Sequence, residues 1–73
     1  MKETILKDAL YNLTPGSGAK TDYCRGLIIG IVSALMAQGK SHIEAAHIIR
    51  DNLPKGYRVS CIPSTVYLDM FCD

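Results

Sequence analysis

The sequence has no tryptophan, a single phenylalanine and no excess of charge of either sign. Eight lysines and arginines stand against seven aspartates and glutamates, which leaves a formal net charge of +1. A chain with so little net charge has no strong field to draw it to nucleic acid or to an anionic membrane. The charge balance therefore argues against binding that is driven by net charge alone.

Long apolar stretches are also missing. The longest nearly uninterrupted one, residues 27–37, is eleven residues long and contains only one polar side chain. A membrane-spanning helix needs about twenty apolar residues. The first seven residues include an acid at Glu3 and lead into no apolar region, so we expect no secretory signal peptide. The sequence thus predicts a cytoplasmic protein with no membrane partner.

The three cysteines do not form close pairs. Cys24, Cys61 and Cys72 are separated by 37 and 11 residues. Disulfide frameworks of small secreted domains and zinc knuckles both use close pairs. We therefore expect reduced thiols without a redox role, with Cys72 accessible near the C-terminus.

The composition that remains is typical of a small globular domain, residues 1–73, with 48% hydrophobic residues. A chain this short buries only about 60% of its unfolded surface, so its stability margin is thin unless it self-associates. We expect a mostly α-helical, single-domain bundle. Its predicted parts are helices near 4–13, 22–38 and 41–53, then an extended stretch and a short C-terminal helix.

Local signals support these helix boundaries. Residues 41–44 (SHIE) form a capping box, in which the serine and glutamate side chains bond to each other's backbone N–H groups. Gly39 is typical of the residue that follows a helix. Thr21 or Asp22 can cap the central helix, and Ser64 can cap the last one.

Two segments break the helical period. Residues 14–18 (TPGSG) predict a flexible connector, because proline and glycine favour loop geometry. Residues 57–62 alternate in the manner of a strand, which predicts a short extended stretch. The segment after Pro63 fits either a helix or a strand, and we favour the helix.

The central helix is apolar on every face, and such a helix is buried on all sides or lies in a membrane. Since its apolar run is too short to span, we expect a core helix. Gly26, Gly30 and Ala34 recur at intervals of four and create a groove in which another helix backbone can approach closely. The partner is either another helix of the same chain or the same helix of a second copy, and small size favours a homodimer.

No pattern predicts catalysis or cofactor binding. His42 and His47 lie about 140° apart around a helix, and no cysteine, aspartate or glutamate stands at a ligand spacing, so we expect solvent-facing or edge-of-core histidines and no metal. Residues 16–18 (GSG) do not fit the nucleophile elbow, and residues 16–21 do not fit a phosphate loop. We predict that the protein is not an enzyme.

Part of the chain resembles helix-turn-helix modules. Residues 37–41 (AQGKS) with 44–46 (EAA) resemble the turn and first helix, and residues 64–67 (STVY) resemble the start of a recognition helix. The long intervening segment is similar to that of the extended modules appended to some site-specific recombinases. The resemblance implies DNA binding through these residues: Lys40, Arg50, Lys55, Arg58, Ser64, Thr65 and Tyr67.

The recognition segment, however, lacks the usual basic footprint. Residues 64–73 contain no lysine or arginine, and Asp69 and Asp73 add negative charge. DNA readers draw affinity from phosphate contacts made by lysine and arginine. DNA binding is therefore the alternative rather than the leading prediction.

The leading prediction is a non-enzymatic module that docks stoichiometrically on a partner protein. Small size, near-zero net charge and an apolar surplus all favour it. Aromatic residues and methionine are enriched at interfaces, so the candidate anchors are Tyr57, Tyr67, Met70 and Phe71, each of which can equally belong to the core. Chains of this kind resemble the short accessory and inhibitor proteins encoded by phages and mobile elements.

Overall fold

The computed structural model describes residues 3–72, so Met1, Lys2 and Asp73 lie outside it. The chain is mostly α-helical, as predicted, and residues 3–72 contain no strand. The four helices are α1 (Glu3–Leu10), α2 (Thr21–Ala37), α3 (His42–Asp51) and α4 (Ser64–Met70). Single 3-10 turns occupy Tyr11–Leu13, Pro15–Ser17 and Val59–Cys61. Within the described range, no helix is both long and apolar enough to cross a membrane.

The core lies on one side of α2. This helix packs against α3 and the 3-10 turn at residues 59–61, while α4 packs on α3. The fully or almost fully buried side chains of α2 share one helix face, and they are Cys24, Ile28, Ile31, Val32 and Leu35. Within one chain, the three shorter helices cover only this face and leave Gly26, Ile29 and Gly30 exposed. Burial of the helix on all sides therefore requires a second molecule and stays a prediction.

The junction between α2 and α3 follows the local signals. Gly39 has a φ of +96°, in the left-handed region. Its N–H donates to the carbonyl of Met36 at 2.9 Å, and the N–H of Lys40 donates to that of Leu35 at 3.1 Å. This pair of bonds is the Schellman arrangement that ends a helix, so the role predicted for Gly39 is confirmed.

The capping box at the start of α3 is also confirmed. The Ser41 Oγ accepts from the Glu44 N–H at 3.1 Å, and the Glu44 carboxylate accepts from the Ser41 N–H at 2.9 Å. Two backbone donors at the helix start are thereby satisfied. The turn between α2 and α3 is thus fixed by hydrogen bonds within residues 35–44.

The caps predicted for the other two helices are wrong. Both helices begin one residue early, so Thr21 and Ser64 are first helical residues rather than caps. The preceding residues, Lys20 and Pro63, supply no side-chain cap. Asp22 instead lies in the first turn of α2, where a negative charge interacts favourably with the helix dipole.

The extended stretch predicted at residues 57–62 is present only in part. Arg58 and Ile62 have extended backbone angles, but Val59–Cys61 between them forms a 3-10 turn. The strand-like alternation is not kept, since the consecutive Cys61 and Ile62 are both buried. The alternation fails because no neighbouring strand offers a ladder, and a lone strand is not stable. The segment instead makes one backbone bond to the distant connector, from the Arg58 N–H to the Leu13 carbonyl at 2.9 Å. The helix predicted after Pro63 is confirmed as α4.

The connector between α1 and α2 is internally hydrogen-bonded rather than an open loop. The Ser17 hydroxyl lies 2.8 Å from the Asn12 carbonyl and 2.9 Å from the Thr14 carbonyl. Gly18 then turns the chain toward α2 with a φ of +79°. These contacts bring the Asn12 carbonyl close to the start of α2.

Candidate functional site

The side of α2 that faces away from the core is an exposed, uncharged surface. It is called the α2 face below and consists of Gly26, Ile29, Gly30, Ser33, Met36 and Ala37, all exposed. Ile29 and Met36 are 54% and 46% exposed. No charged residue occurs between positions 26 and 37. The α2 face is therefore an uncharged helix surface with apolar side chains in water.

The two glycines of the α2 face have open space above them. A Cβ atom added at Gly26 or Gly30 would meet no described atom within 4 Å. No other helix of the same chain therefore approaches this groove closely, and the intrachain alternative is wrong for residues 3–72. Ala34, the third predicted member of the groove, is half-buried at the edge of the face. The glycines leave a clear path for the backbone of another molecule.

Charged side chains appear only beyond the ends of the α2 face. Asp22 and Arg25 are exposed at its amino end, and Lys40 is exposed beyond its carboxyl end. The Arg25 Nε donates to the Ser60 carbonyl at 2.9 Å, which directs that guanidinium toward the 3-10 turn. The amino end of the face thus carries both signs of charge, with Lys20 and Arg25 near Asp22, and the carboxyl end is followed by Lys40.

The predicted aromatic anchors separate into core and surface. Met70 is completely buried, so its assignment as a partner-binding anchor is wrong: it is a core residue of α4. Tyr57 is half-buried against the core. Tyr67 packs edge to face on Phe71, with ring centroids 5.1 Å apart, and Phe71 is 63% exposed. Leu68 is also exposed on α4 and was not among the predicted anchors.

Side chains of α3 bond to the α4 segment, which is α4 together with Phe71 and Cys72. His42 and His47 are half-buried at the edge of the core rather than free in solvent. Three α3 side chains reach the α4 segment: His42 Nδ1 pairs with Asp69 Oδ2 at 2.5 Å, His47 Nε2 with the Cys72 carbonyl at 2.5 Å, and Arg50 Nη1 with the Met70 carbonyl at 2.8 Å. No sequence signal links partners that lie 20 or more positions apart. Among residues 3–72, no three potential metal ligands cluster.

The basic residues of the DNA-binding alternative have different environments. Arg58 is half-buried and its guanidinium donates to the Ala19 carbonyl at 2.7 Å. Arg50 is occupied by Met70 and by its neighbour Asp51. Exposed members of the set are Lys40, Arg50, Lys55, Ser64 and Thr65, whereas Tyr67 is half-buried. Since the Arg50 guanidinium already bonds to Met70 and Asp51, Lys40 and Lys55 are the exposed cations of the predicted basic edge for which no such bond is described.

The cysteines are free thiols in the structure. Cys24 and Cys61 are buried and Cys72 is exposed, as expected for the last of these. Burial raises the pKa of the Cys24 thiol, the neighbouring Cys61 raises it further, and the Arg58 cation opposes both effects. Cys24 is therefore a protonated thiol at neutral pH, and it donates to the Asn12 carbonyl at 3.2 Å.

Comparisons of this chain with protein-family models, with curated proteins and with solved structures found no match. Among the described residues, the α2 face combines exposed apolar side chains with glycines that have open space above them.

Proposed function

We propose that this protein is a non-enzymatic binding module that forms a homodimer and docks stoichiometrically on a partner protein. The observation that carries the proposal is the α2 face. Large exposed apolar surfaces on small proteins are commonly interaction sites. A cytoplasmic location, and a role of the accessory or inhibitor type found in phages and mobile elements, belong to the same proposal.

Two energetic arguments support a partner on the α2 face. Burial of apolar surface is favourable by roughly 25 cal/mol per Å², and Ile29 and Met36 leave such surface in water. Each glycine inside a helix costs about 1 kcal/mol relative to alanine. Since Gly26 and Gly30 meet nothing in the monomer, their cost has no compensation there. Close approach of another backbone supplies it.

A second copy is the occupant that fits this face best. Two α2 helices that cross antiparallel near Gly30 bring Gly26 of one copy opposite Ala34 of the other. The same crossing brings the amino end of each helix, with Lys20, Asp22 and Arg25, near the Lys40 end of its mate. Asp22 can then pair with Lys40 on both sides of an uncharged centre, while the Arg25 guanidinium is directed to the Ser60 carbonyl. Such a contact is self-complementary, as a two-fold dimer interface requires.

The exposed side of α4 is the surface proposed for the partner protein. Leu68 and Phe71 are 67% and 63% exposed, and Tyr67 supports the Phe71 ring. Aromatic side chains give large contact area at low entropic cost, which makes them frequent anchors of interfaces. Because α4 packs on α3, we expect a dimer through the α2 face to leave this surface accessible.

Sedimentation equilibrium in reducing buffer tests the dimer. We expect the wild type to dimerise and Gly30→Leu to be monomeric with an unchanged circular dichroism spectrum, since the monomer has space for the side chain. Thr4→Leu, which adds the same side chain at an exposed position of α1, is the matched control and should remain dimeric. A wild type that stays monomeric, or a dimeric Gly30→Leu, removes the homodimer from the proposal.

Affinity capture from lysate, with and without nuclease, tests the partner surface. We expect a stoichiometric protein that survives nuclease and is lost with the double substitution Leu68→Ala and Phe71→Ala. Ile5→Ala, at an equally exposed position of α1, is the control that should retain it. Recovery of nucleic acid, with proteins lost on nuclease treatment, would instead favour the helix-turn-helix alternative.

A further inference from the structure

The fold brings together two cysteines that are 37 positions apart in sequence. Cys24 lies in the second turn of α2, and Cys61 ends the 3-10 turn that packs on this helix. Both side chains are completely buried. The turn that carries Cys61 contacts the residues around Cys24. The Ser60 carbonyl accepts from the Arg25 Nε at 2.9 Å, and the Arg58 guanidinium lies 3.6 Å from the Cys24 sulfur. The Cys61 thiol is also one of the groups that raise the pKa of Cys24. The fold thus places the two thiols in the same buried region.

We infer that Cys24 and Cys61 form an oxidisable pair, which a low-molecular-weight disulfide such as glutathione disulfide converts into an intramolecular disulfide of the folded chain. The spacing of the cysteines gives no hint of this pairing. In an unfolded chain, joining these residues requires closure of a long loop, which is entropically costly. The native fold has already closed that loop, so native packing favours the bond.

The chemistry balances with glutathione disulfide as the oxidant. One protein thiol loses its proton, and its thiolate attacks a sulfur of glutathione disulfide. The sulfur–sulfur bond of the oxidant breaks, and a first glutathione thiolate leaves. The second protein thiolate then attacks the protein sulfur of the mixed disulfide and releases a second glutathione. The two protein sulfurs are oxidised by one electron each, and the two protons end on the two glutathione molecules.

Burial affects the rate of this reaction but not its equilibrium. The Cys24 thiol is protonated and covered by the connector through its bond to Asn12, and protonated thiols are poor nucleophiles. Exchange therefore requires transient opening of the connector. The equilibrium position is consequently the more direct test, because it depends only on whether the native packing accommodates the disulfide.

The experiment uses the full chain with Cys72→Ser, which removes the exposed thiol. The protein is equilibrated with mixtures of reduced and oxidised glutathione, either folded or in concentrated guanidinium chloride, then quenched with acid and analysed by intact mass. We expect the equilibrium between dithiol and disulfide to favour the disulfide by about tenfold or more in the folded protein relative to the denatured chain. A non-reduced digest should join the Cys24 and Cys61 peptides.

Each alternative result contradicts the inference. An equal or smaller proportion of disulfide in the folded protein would mean that native packing does not accommodate the bond. Accumulation of glutathione adducts, or of disulfide-linked dimers, in the folded protein would mean that the two thiols do not find each other. The double variant Cys61→Ala, Cys72→Ser is the control, since Cys24 then has no intramolecular partner.

Discussion

Arg58 donates from Nη2 to the carbonyl oxygen of Ala19 at 2.7 Å, across 39 positions of sequence. The same guanidinium reaches the carbonyls of Asn12 and Leu13, both at 3.3 Å. Hydrogen bonds from a charged group contribute roughly 1.5–3 kcal/mol each when they are well formed. This half-buried side chain therefore ties the connector to the turn that precedes α4.

Arg58→Ala should lower the free energy of unfolding by about 2–4 kcal/mol, because it leaves several carbonyls without their donor. Lys55→Ala removes a nearby exposed cation and should change stability by no more than about 0.5 kcal/mol. Urea denaturation followed by circular dichroism measures both. If both variants change the free energy of unfolding by a similarly small amount, the hydrogen bonds of Arg58 to the connector do not stabilise the fold as described.

If DNA is bound instead, the exposed lysines of the predicted basic edge should carry the phosphate contacts. Replacement of Lys40 and Lys55 by alanine should then weaken DNA affinity and flatten its salt dependence. An unaltered salt slope would remove this basic edge from the DNA-binding alternative.

Two glycines should respond to alanine with opposite signs. Gly39→Ala places a side chain at a φ of +96° and should destabilise the protein by about 1–2 kcal/mol. Gly30→Ala adds a methyl group to an open helix position and should stabilise the monomer by about 1 kcal/mol. Urea denaturation in dilute protein, where the monomer dominates, separates the two. Destabilisation by both would show that Gly30 is not open in the folded monomer.

The features predicted correctly from the sequence are those that depend on a few neighbouring residues. The capping box at Ser41, the ending at Gly39 and the periodic faces of the helices all arise within one or two turns. These local features therefore form independently of the tertiary packing of the rest of the chain.

The features that the sequence did not predict depend on tertiary packing between distant parts of the chain. The open side of α2 reflects how few helices are available to cover it, which hydropathy alone does not determine. Residues 57–62 alternate like a strand, but residues 3–72 contain no strand to pair with them. The alternation therefore predicted an extended stretch where a 3-10 turn forms. The meeting of Cys24 with Cys61, and of His42 with Asp69, joins positions that no local pattern relates.

The capping box should make stability depend on acidic pH. The Ser41 backbone N–H bonds to the Glu44 carboxylate and lowers its pKa, with smaller effects from the Ser41 side chain and the Lys40 charge. A lowered folded-state pKa means that the stabilisation is fully present above the ordinary value of about 4.3 and is lost as pH falls through the folded value. The stability difference between the wild type and Glu44→Gln should therefore shrink in acid.

Urea denaturation at neutral pH and well below the ordinary glutamate pKa provides this measurement. Ser41→Ala is a useful comparison, since the hydroxyl accepts from the Glu44 N–H at any pH. Its cost, about 1 kcal/mol, should persist in acid. A Glu44→Gln difference that is constant with pH would argue against the carboxylate bond.

Neighbouring residues of the α4 segment should differ sharply in their roles. Met70 is fully buried, so Met70→Ala should destabilise the protein by about 2–5 kcal/mol through the cavity it creates. Phe71 is largely exposed, so Phe71→Ala should cost about 1 kcal/mol or less while reducing capture of a partner. Thermal unfolding of both variants, compared with the capture experiment, separates core from surface. Comparable losses of stability would contradict the assignment of Phe71 to the surface.

The acceptors of Arg58 have a consequence for how the sequence can vary. They are backbone carbonyls, which every type of residue supplies, so this contact places no demand on the side chains at positions 12 and 19. The donor, Arg58, is far less replaceable, because only arginine offers several N–H groups in a fixed fork. In a library of variants, position 58 should therefore tolerate few substitutions. Suppressors of its loss should arise in the core rather than at the carbonyl positions it contacts.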